Sequence, residues 1–387
     1  MDNLTHSLVG LAAAKAGLEK LSPGTTTLCV LAASAADADI VALIFGGRWT
    51  FLHHHRGITH SIVGTLALAL ALPLIFYLVD LLIARVRVRP RSIKLKGLLL
   101  ASLLVSATHP LLDWANSYGV RLLLPWNARW FYGDLVFIVD PFLWLILGGA
   151  VFLLTSKNKK QLALWLVIAL ITTYLVVFGP ATRAGLANAG LLRLLWITGL
   201  VAFVILFKKQ SGARWGAKIP VGAFTVVVIY LAGLLIVHSL ALRRAEFEAA
   251  RIANENSEHV IQVAAMPTLA NPLHWVCVLE TERAAYRFEL GLLGRSRSPS
   301  NLVRYEKPDP SRSPAVAEAA RDSRSTIFLG FARFPVVRVL GEDCATQTLV
   351  QFADLRYTEP GSDRGTFALN VPVECPLQRA MNTDEQH

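Results

Sequence analysis

Apolar runs near or above the length needed to cross about 30 Å of hydrocarbon recur through the first 240 residues of this 387-residue chain, then stop. Hydrocarbon offers no water to satisfy backbone N–H and C=O groups, so such runs must fold as helices that close their own hydrogen bonds. Composition agrees: 54% of the residues are hydrophobic and 17% charged, too apolar for a soluble globular chain of this length. The reading is an all-α polytopic membrane domain over 1–239, followed by a smaller, polar α+β domain over 240–387.

The 38 Lys and Arg exceed the 27 Asp and Glu, giving a net charge of +11, and the placement of the excess is informative. Basic residues fill short gaps between apolar runs: Arg85, Arg87, Arg89, Arg91, Lys94 and Lys96; then Lys157, Lys159 and Lys160; then Lys208, Lys209, Arg214 and Lys218. The positive-inside rule makes these gaps cytoplasmic. No stretch interleaves basic residues with aromatics on one face, so nucleic acid is not an expected partner.

The clearest spans are 62–84, 97–113, 140–155, 161–178, 194–207 and 219–238. Alternation then puts 53–61, the far end of 97–113, the segment 114–139 and everything after 238 outside, making the C-terminal domain extracytoplasmic. Upstream, 25–45 is another apolar stretch, and 4–18 is either a short span or a half-buried interfacial helix. The start lacks the positive n-region and small-residue cleavage pattern of a removable signal peptide. The total expected is seven or eight membrane helices, in a multi-pass membrane protein.

In the outer domain a helix is expected over 240–256, strands over 274–280, 285–290, 348–352 and 366–371, and a long Ser-, Arg- and Pro-rich loop over 294–314. Cys29 reads as a small core residue. Cys277, Cys344 and Cys375 allow one disulfide and one leftover thiol, with the pairing open.

Seven ionisable residues sit where a membrane protein should avoid them: His6, Asp37, Asp39, His55, His60, His109 and Asp113. Such groups are costly at membrane depth and are functional candidates for that reason. Asp37 and Asp39 lie midway along an apolar run, where a single helix-capping carboxylate would be unremarkable but two are harder to explain. On a regular helix i and i+2 point to nearly opposite sides, so one aspartate is read as a ligand and the other as bridging or supporting, unless the helix breaks. In HHHRGITHS, His55 and His60 are the favoured donors; Arg56 offers a fork suited to carboxylate or phosphate, with a surface salt bridge as the alternative. THPLLD puts His109 and Asp113 at i and i+4 on one helix face, as two ligands or as a hydrogen-bonded pair satisfying a helix end. Together the set offers nitrogen and oxygen donors of the type that suits a divalent metal such as zinc, with carboxylates able to bridge two ions.

These residues carry a resemblance. THS at Thr5–Ser7, DAD at Asp37–Asp39, HRGITHS at His55–Ser61 and HPLLD at His109–Asp113, with LLPWNARWFYGD following, resemble the YdjM/YbcI family of predicted inner-membrane metal-dependent hydrolases, also described as LexA-binding hydrolases. The motifs cover about the first 140 residues, and His6 joins the ligand set by position and by this resemblance. Members commonly carry proline before the first aspartate, where this chain has Ala36. MPTLANPLHW, beginning at Met266, is similar to the longer members, which have an outer domain of this kind. A more distant similarity of ligand pattern, to zinc-dependent phospholipase C and related nucleases, implies a phosphodiester substrate such as a phospholipid head group.

The reading is therefore a membrane-bound metal-dependent hydrolase working beside membrane lipid at the outer face. His6, Asp37, Asp39, His55, His60, His109 and Asp113 are its metal donors, Asp39 or Asp113 the proton acceptor, and Arg56 the group facing phosphoryl charge. Two competitors are an ion-coupled transporter, which the nearly non-polar later spans disfavour, and a non-catalytic scaffold with a structural metal.

Overall fold

The computed structural model describes residues 1–179, 189–293, 300–311, 313–341, 348–361 and 367–373. They divide into two compact units, one of Met1–Asp39, Arg56–His238 and Pro267–Pro272, the other of Ile40–His55, Ser239–Met266 and Leu273–His387. The chain crosses between units more often than two consecutive domains would require.

In the first unit, helix α1 (Asn3–Lys15) starts at Asp2, whose carboxylate accepts from the Thr5 amide at 3.0 Å and from the indole of Trp144 at 2.9 Å. Thirteen residues make a helix of about 20 Å, too short to span, and most of one side is buried: Thr5, His6, Leu8, Val9, Ala12 and Ala14 lie inside the unit. The helix thus packs in the interior rather than half-buried at an interface. Its neighbour is α2 (Thr25–Ser34), and the two backbones come so close that a Cβ on Gly10 would stand 2.4 Å from the Cys29 carbonyl oxygen. Only glycine fits there. Cys29 is a buried free thiol, as a core residue should be.

After α2 the chain tightens into a 3-10 helix, Ala35–Ile40, before α3 (Val41–His54), which kinks at Gly47. By length and apolar character six helical stretches can cross a membrane: Thr25–His54, Ile62–Val86 (α4), Leu95–Trp114, Lys159–Phe178 (α8), Ala189–Lys208 (α9) and Lys218–Glu255 (α11). Leu95–Trp114 comprises α5 (Leu95–Ser106) and α6 (Thr108–Trp114), and Pro141–Thr155 (α7) is a shorter apolar helix. Among the described residues this is six long helices and one short one, against the seven or eight expected. The single span expected over 25–45 is divided, because α3 belongs to the second unit, where Arg48 donates to the Ala368 carbonyl at 2.8 Å.

Large apolar side chains such as Ile75, Leu82, Leu166, Ile171 and Val228 are exposed on the outsides of α4, α8 and α11, where lipid rather than water is the compatible neighbour. The interior is built from Leu8, Leu143, Leu147, Val151 and Trp196. α10 (Ser211–Trp215) is a single turn and a half between α9 and α11.

The second unit is a seven-stranded sheet in the order β1 to β7: Val260–Thr268, Asn271–Thr281, Ala284–Gly291, Ser300–Glu306, Pro335–Leu340, Thr348–Asp354 and Ala368–Val373. The pairs from β2–β3 to β6–β7 are antiparallel, with Trp275 opposite Leu290 and Val350 opposite Val371. Val278, Phe334, Val336 and Leu355 make its core, and α12 (Pro314–Ala320) and α13 (Ser323–Phe331) complete the α+β fold. The expected strands at 274–280, 285–290 and 348–352 form. The expected loop over 294–314 does not hold throughout, because 300–306 is β4, an almost wholly exposed strand in which Leu302 and Val303 stand side by side and leave no alternation to read. The last strand is displaced to begin at Ala368, and Thr366 lies outside the described residues. Cys277 is a buried free thiol that burial pushes to a high pKa; Cys344 and Cys375 lie outside the described residues.

Candidate metal centre

Four segments of the first unit bring the polar residues together: α1, the 3-10 helix Ala35–Ile40, the 3-10 turn Ile58–His60, and α6. His6, His60, His109 and Asp113 are fully buried or nearly so, and the Asp37 side chain is 14% exposed, making it the member nearest solvent. Asp37, His60, His109 and Asp113 form a group able to hold a metal ion, one ligand atom from each lying within 4.8 Å of the others.

The separations are informative. His60 Nε2 is 3.3 Å from Asp37 Oδ1 and 3.3 Å from Asp113 Oδ2, and His109 Nε2 is 3.6 Å and 3.3 Å from the same two oxygens. These are longer than good hydrogen bonds and close to the about 3.4 Å that separates ligands bonded tetrahedrally at about 2.1 Å to one ion. His109 Nε2, Asp37 Oδ2, Asp113 Oδ2 and both ring nitrogens of His6 are buried with no hydrogen-bond partner. Polar atoms left this way are costly without a further group to receive their lone pairs, so the donor set fits a divalent cation.

Each donor is aimed by a neighbour. The Nδ1 of His109 lies 2.6 Å from the Ala33 carbonyl oxygen, and that bond makes Nδ1 the protonated nitrogen and turns Nε2 inward as the acceptor. His60 Nδ1 faces Thr59 Oγ1 at 3.0 Å and Asp39 Oδ2 at 3.5 Å. His6 stacks on His109 with ring centroids 3.8 Å apart, and its Nε2 is 3.4 Å from Asp113 Oδ1. The nitrogen of Met1 also contacts Asp113 Oδ1.

The aspartate pair is separated by local geometry. Ala35–Ile40 is 3-10 rather than α-helical despite Ala36 in place of proline, so the two side chains leave the backbone in different directions. Asp37 faces His60 and His109, whereas Asp39 accepts from the Arg56 amide at 3.1 Å and lies behind His60.

Arg56 is 2% exposed and sits at a φ of 52°, a left-handed conformation that L residues adopt at a cost. One guanidinium nitrogen, Nη2, reaches Asp113 Oδ1 at 3.0 Å, and Nη1 donates to Asn116 Oδ1 at 3.0 Å and to the Gly119 carbonyl at 3.2 Å. The plane of the group lies 4.6 Å from the Tyr118 ring centre. Asn116 and Tyr118 were not singled out by their residue types. Asn116 lies past the end of α6, where it bridges to Val136, so helix spacing gave no signal for it. His55 stands at the end of α3, in the second unit, with its ring stacked on Phe51 at 4.5 Å.

Residues 1–184, which contain every one of these donors, match the family described as YdjM inner membrane protein. Over these residues the chain is similar to the YdjM family. A curated relative, the uncharacterized protein YfhP of Bacillus subtilis (strain 168), is 27% identical over 186 residues, covering 46% of this chain and 53% of that protein. The chain thus matches about half the length of that relative. No solved structure matches. The YdjM match stops short of the seven-stranded sheet, which lies outside the matched residues. The matched family is one of inner membrane proteins, in keeping with the apolar helices.

Proposed function

We propose that the chain is a membrane-bound metal-dependent hydrolase whose substrate is a phosphodiester or another lipid-linked ester, taken from the outer face of the inner membrane. The observation that carries this reading is the convergence of unpartnered donors from His6, Asp37, His109 and Asp113 beside His60 in a membrane-embedded protein. The proposed ligands are Asp37, His60, His109 and Asp113, with His6 adjoining them, and zinc suits their nitrogen and oxygen donors. A divalent ion bound there supplies a Lewis acid and lowers the pKa of water.

The chain's own residues do the rest. Asp39 holds the His60 ring through Nδ1, as the Ala33 carbonyl holds His109. Arg56 fixes one oxygen of Asp113, and its forked group is already committed to Asp113, Asn116 and Gly119. It is therefore a positioning residue in this proposal, rather than a group facing the substrate. Asp37, the most exposed donor, marks the side from which substrate and water enter, and its second oxygen is the nearest candidate to accept a proton. His55 takes no part in the four-residue set.

A non-catalytic structural metal has one observation in its favour: four protein ligands suffice to fill a tetrahedral ion, whereas catalysis needs an open position. Metal content of the purified full chain, with His60→Ala and Asp113→Ala, tests the site, and hydrolysis of a chromogenic phosphodiester with and without chelator tests the chemistry. The hydrolase reading expects stoichiometric metal, lost in both variants, and chelator-sensitive turnover. Absence of metal from the unmutated protein overturns the site, and bound metal without turnover on phosphodiester or carboxylic ester substrates favours the structural clamp.

A further inference from the structure

At the opposite charge extreme from the acidic centre, three separate segments of the membrane unit surround a cavity of about 720 Å³. Four of its thirteen lining residues are lysines: Lys15 and Lys20 from the end of α1 and the turn after it, Lys157 from the gap between α7 and α8, and Lys208 from the end of α9. The one acidic lining residue is Glu19, and it is already engaged, accepting from Lys15 Nζ at 2.6 Å and from Thr26 Oγ1 at 3.2 Å. Among the described residues no carboxylate pairs with Lys20, Lys157 or Lys208. Three like charges gathered at one cavity from distant points of the chain repel one another.

Apart from Gln210, the rest of the wall is apolar or glycine, including Leu153, Leu154 and Phe207. Lys157 precedes the start of the apolar helix Lys159–Phe178, and Lys208 ends Ala189–Lys208. The cavity therefore stands at the level where apolar helices meet water, with cationic and hydrocarbon-compatible surfaces side by side. Free phosphate would use only the lysines, while a phospholipid uses both surfaces.

We propose that this cavity binds the headgroup phosphate of an anionic phospholipid, at the membrane face marked by Lys157, Lys159, Lys160, Lys208, Lys209, Arg214 and Lys218. The lipid is a bound partner of the fold and is independent of the metal centre. The test is thermal unfolding of the purified full chain in a neutral detergent, with added short-chain phosphatidylglycerol, phosphatidylcholine of the same chain length, or inorganic phosphate. Phosphatidylglycerol is expected to raise the unfolding temperature well beyond phosphatidylcholine. That difference is lost in the triple variant Lys20→Gln, Lys157→Gln, Lys208→Gln, reduced in Lys157→Gln and Lys208→Gln singly, and retained in Lys94→Gln, Lys96→Gln. Equal effects of the two lipids, a difference that survives the triple variant, or a full effect from phosphate alone overturns the proposal. Metal content stays at the unmutated level in every one of these variants, which keeps the outcome separate from that of the hydrolase reading.

Discussion

At the residue scale the centre depends on second partners as much as on donors. Asp39 touches His60 Nδ1 and the Arg56 amide and is not among the four proposed ligands, so Asp39→Asn leaves every one of those in place. Replacing such a supporting carboxylate typically weakens metal affinity by about 10–100-fold, and competition with a chromogenic chelator reads that loss directly. Unchanged affinity in Asp39→Asn would remove it from the positioning role. Arg56 is buried against Asp113, and taking away one partner of a buried pair costs about 3–5 kcal/mol. Arg56→Ala should accordingly unfold at much lower temperature, while Arg56→Lys, which keeps the charge without the fork, should fall between the two. The pairing of His109 with Asp113 was legible from their spacing, because i and i+4 share a helix face whatever surrounds them. The division of labour between Asp37 and Asp39 was not, because it follows from a local switch to 3-10 geometry that no proline announces.

At the scale of elements, the centre needs α1 held tightly against α2, since His6 comes from α1 and the Ala33 carbonyl that orients His109 comes from α2. Gly10 is the point of closest approach. Gly10→Val should cost about 1–3 kcal/mol by overpacking and should reduce metal occupancy as well, which unfolding and metal analysis on the same preparation would show together. A drop in stability with full occupancy would mean that the α1–α2 contact does not set the donor geometry. The apolar stretch 25–45 illustrates what composition leaves open. Its hydropathy suits a span, but the fold divides it between units, and the turn of direction at Ala35–Ile40 is what presents the aspartates.

For the whole molecule, two expectations follow. Metal binding to the folded chain alone adds stability that grows with ion concentration, about 2.7 kcal/mol at one hundred times Kd, so chelation should lower the unfolding temperature and added zinc should restore it. No response to chelator in protein shown to hold metal at the outset would argue against coupling of the site to the fold. The expected sidedness rests on the lysine- and arginine-filled gaps, which by alternation would put the region after His238 outside. Alkaline phosphatase fused after β7 should be active and a fluorescent protein fused there dark; the reverse pattern would invert the topology and put the metal centre at the cytoplasmic face.

What the sequence determined by itself was the solvent and the chemistry. Long apolar runs leave a chain no option but membrane helices, and His and Asp at that depth are too costly to be incidental, so both were readable from residue type and spacing alone. Period-two alternation likewise marked β2, β3 and β6, whereas β4 had no alternation and was taken for loop. Only the tertiary structure decided which donors meet. His6, Asp37, His60 and Asp113 are separated by up to about a hundred residues, and their convergence depends on how α1, α2 and α6 pack. It also decided that Arg56 turns inward to Asp113, because a buried guanidinium goes where acceptors are already waiting, and those acceptors come from a distant helix and the loop that follows it.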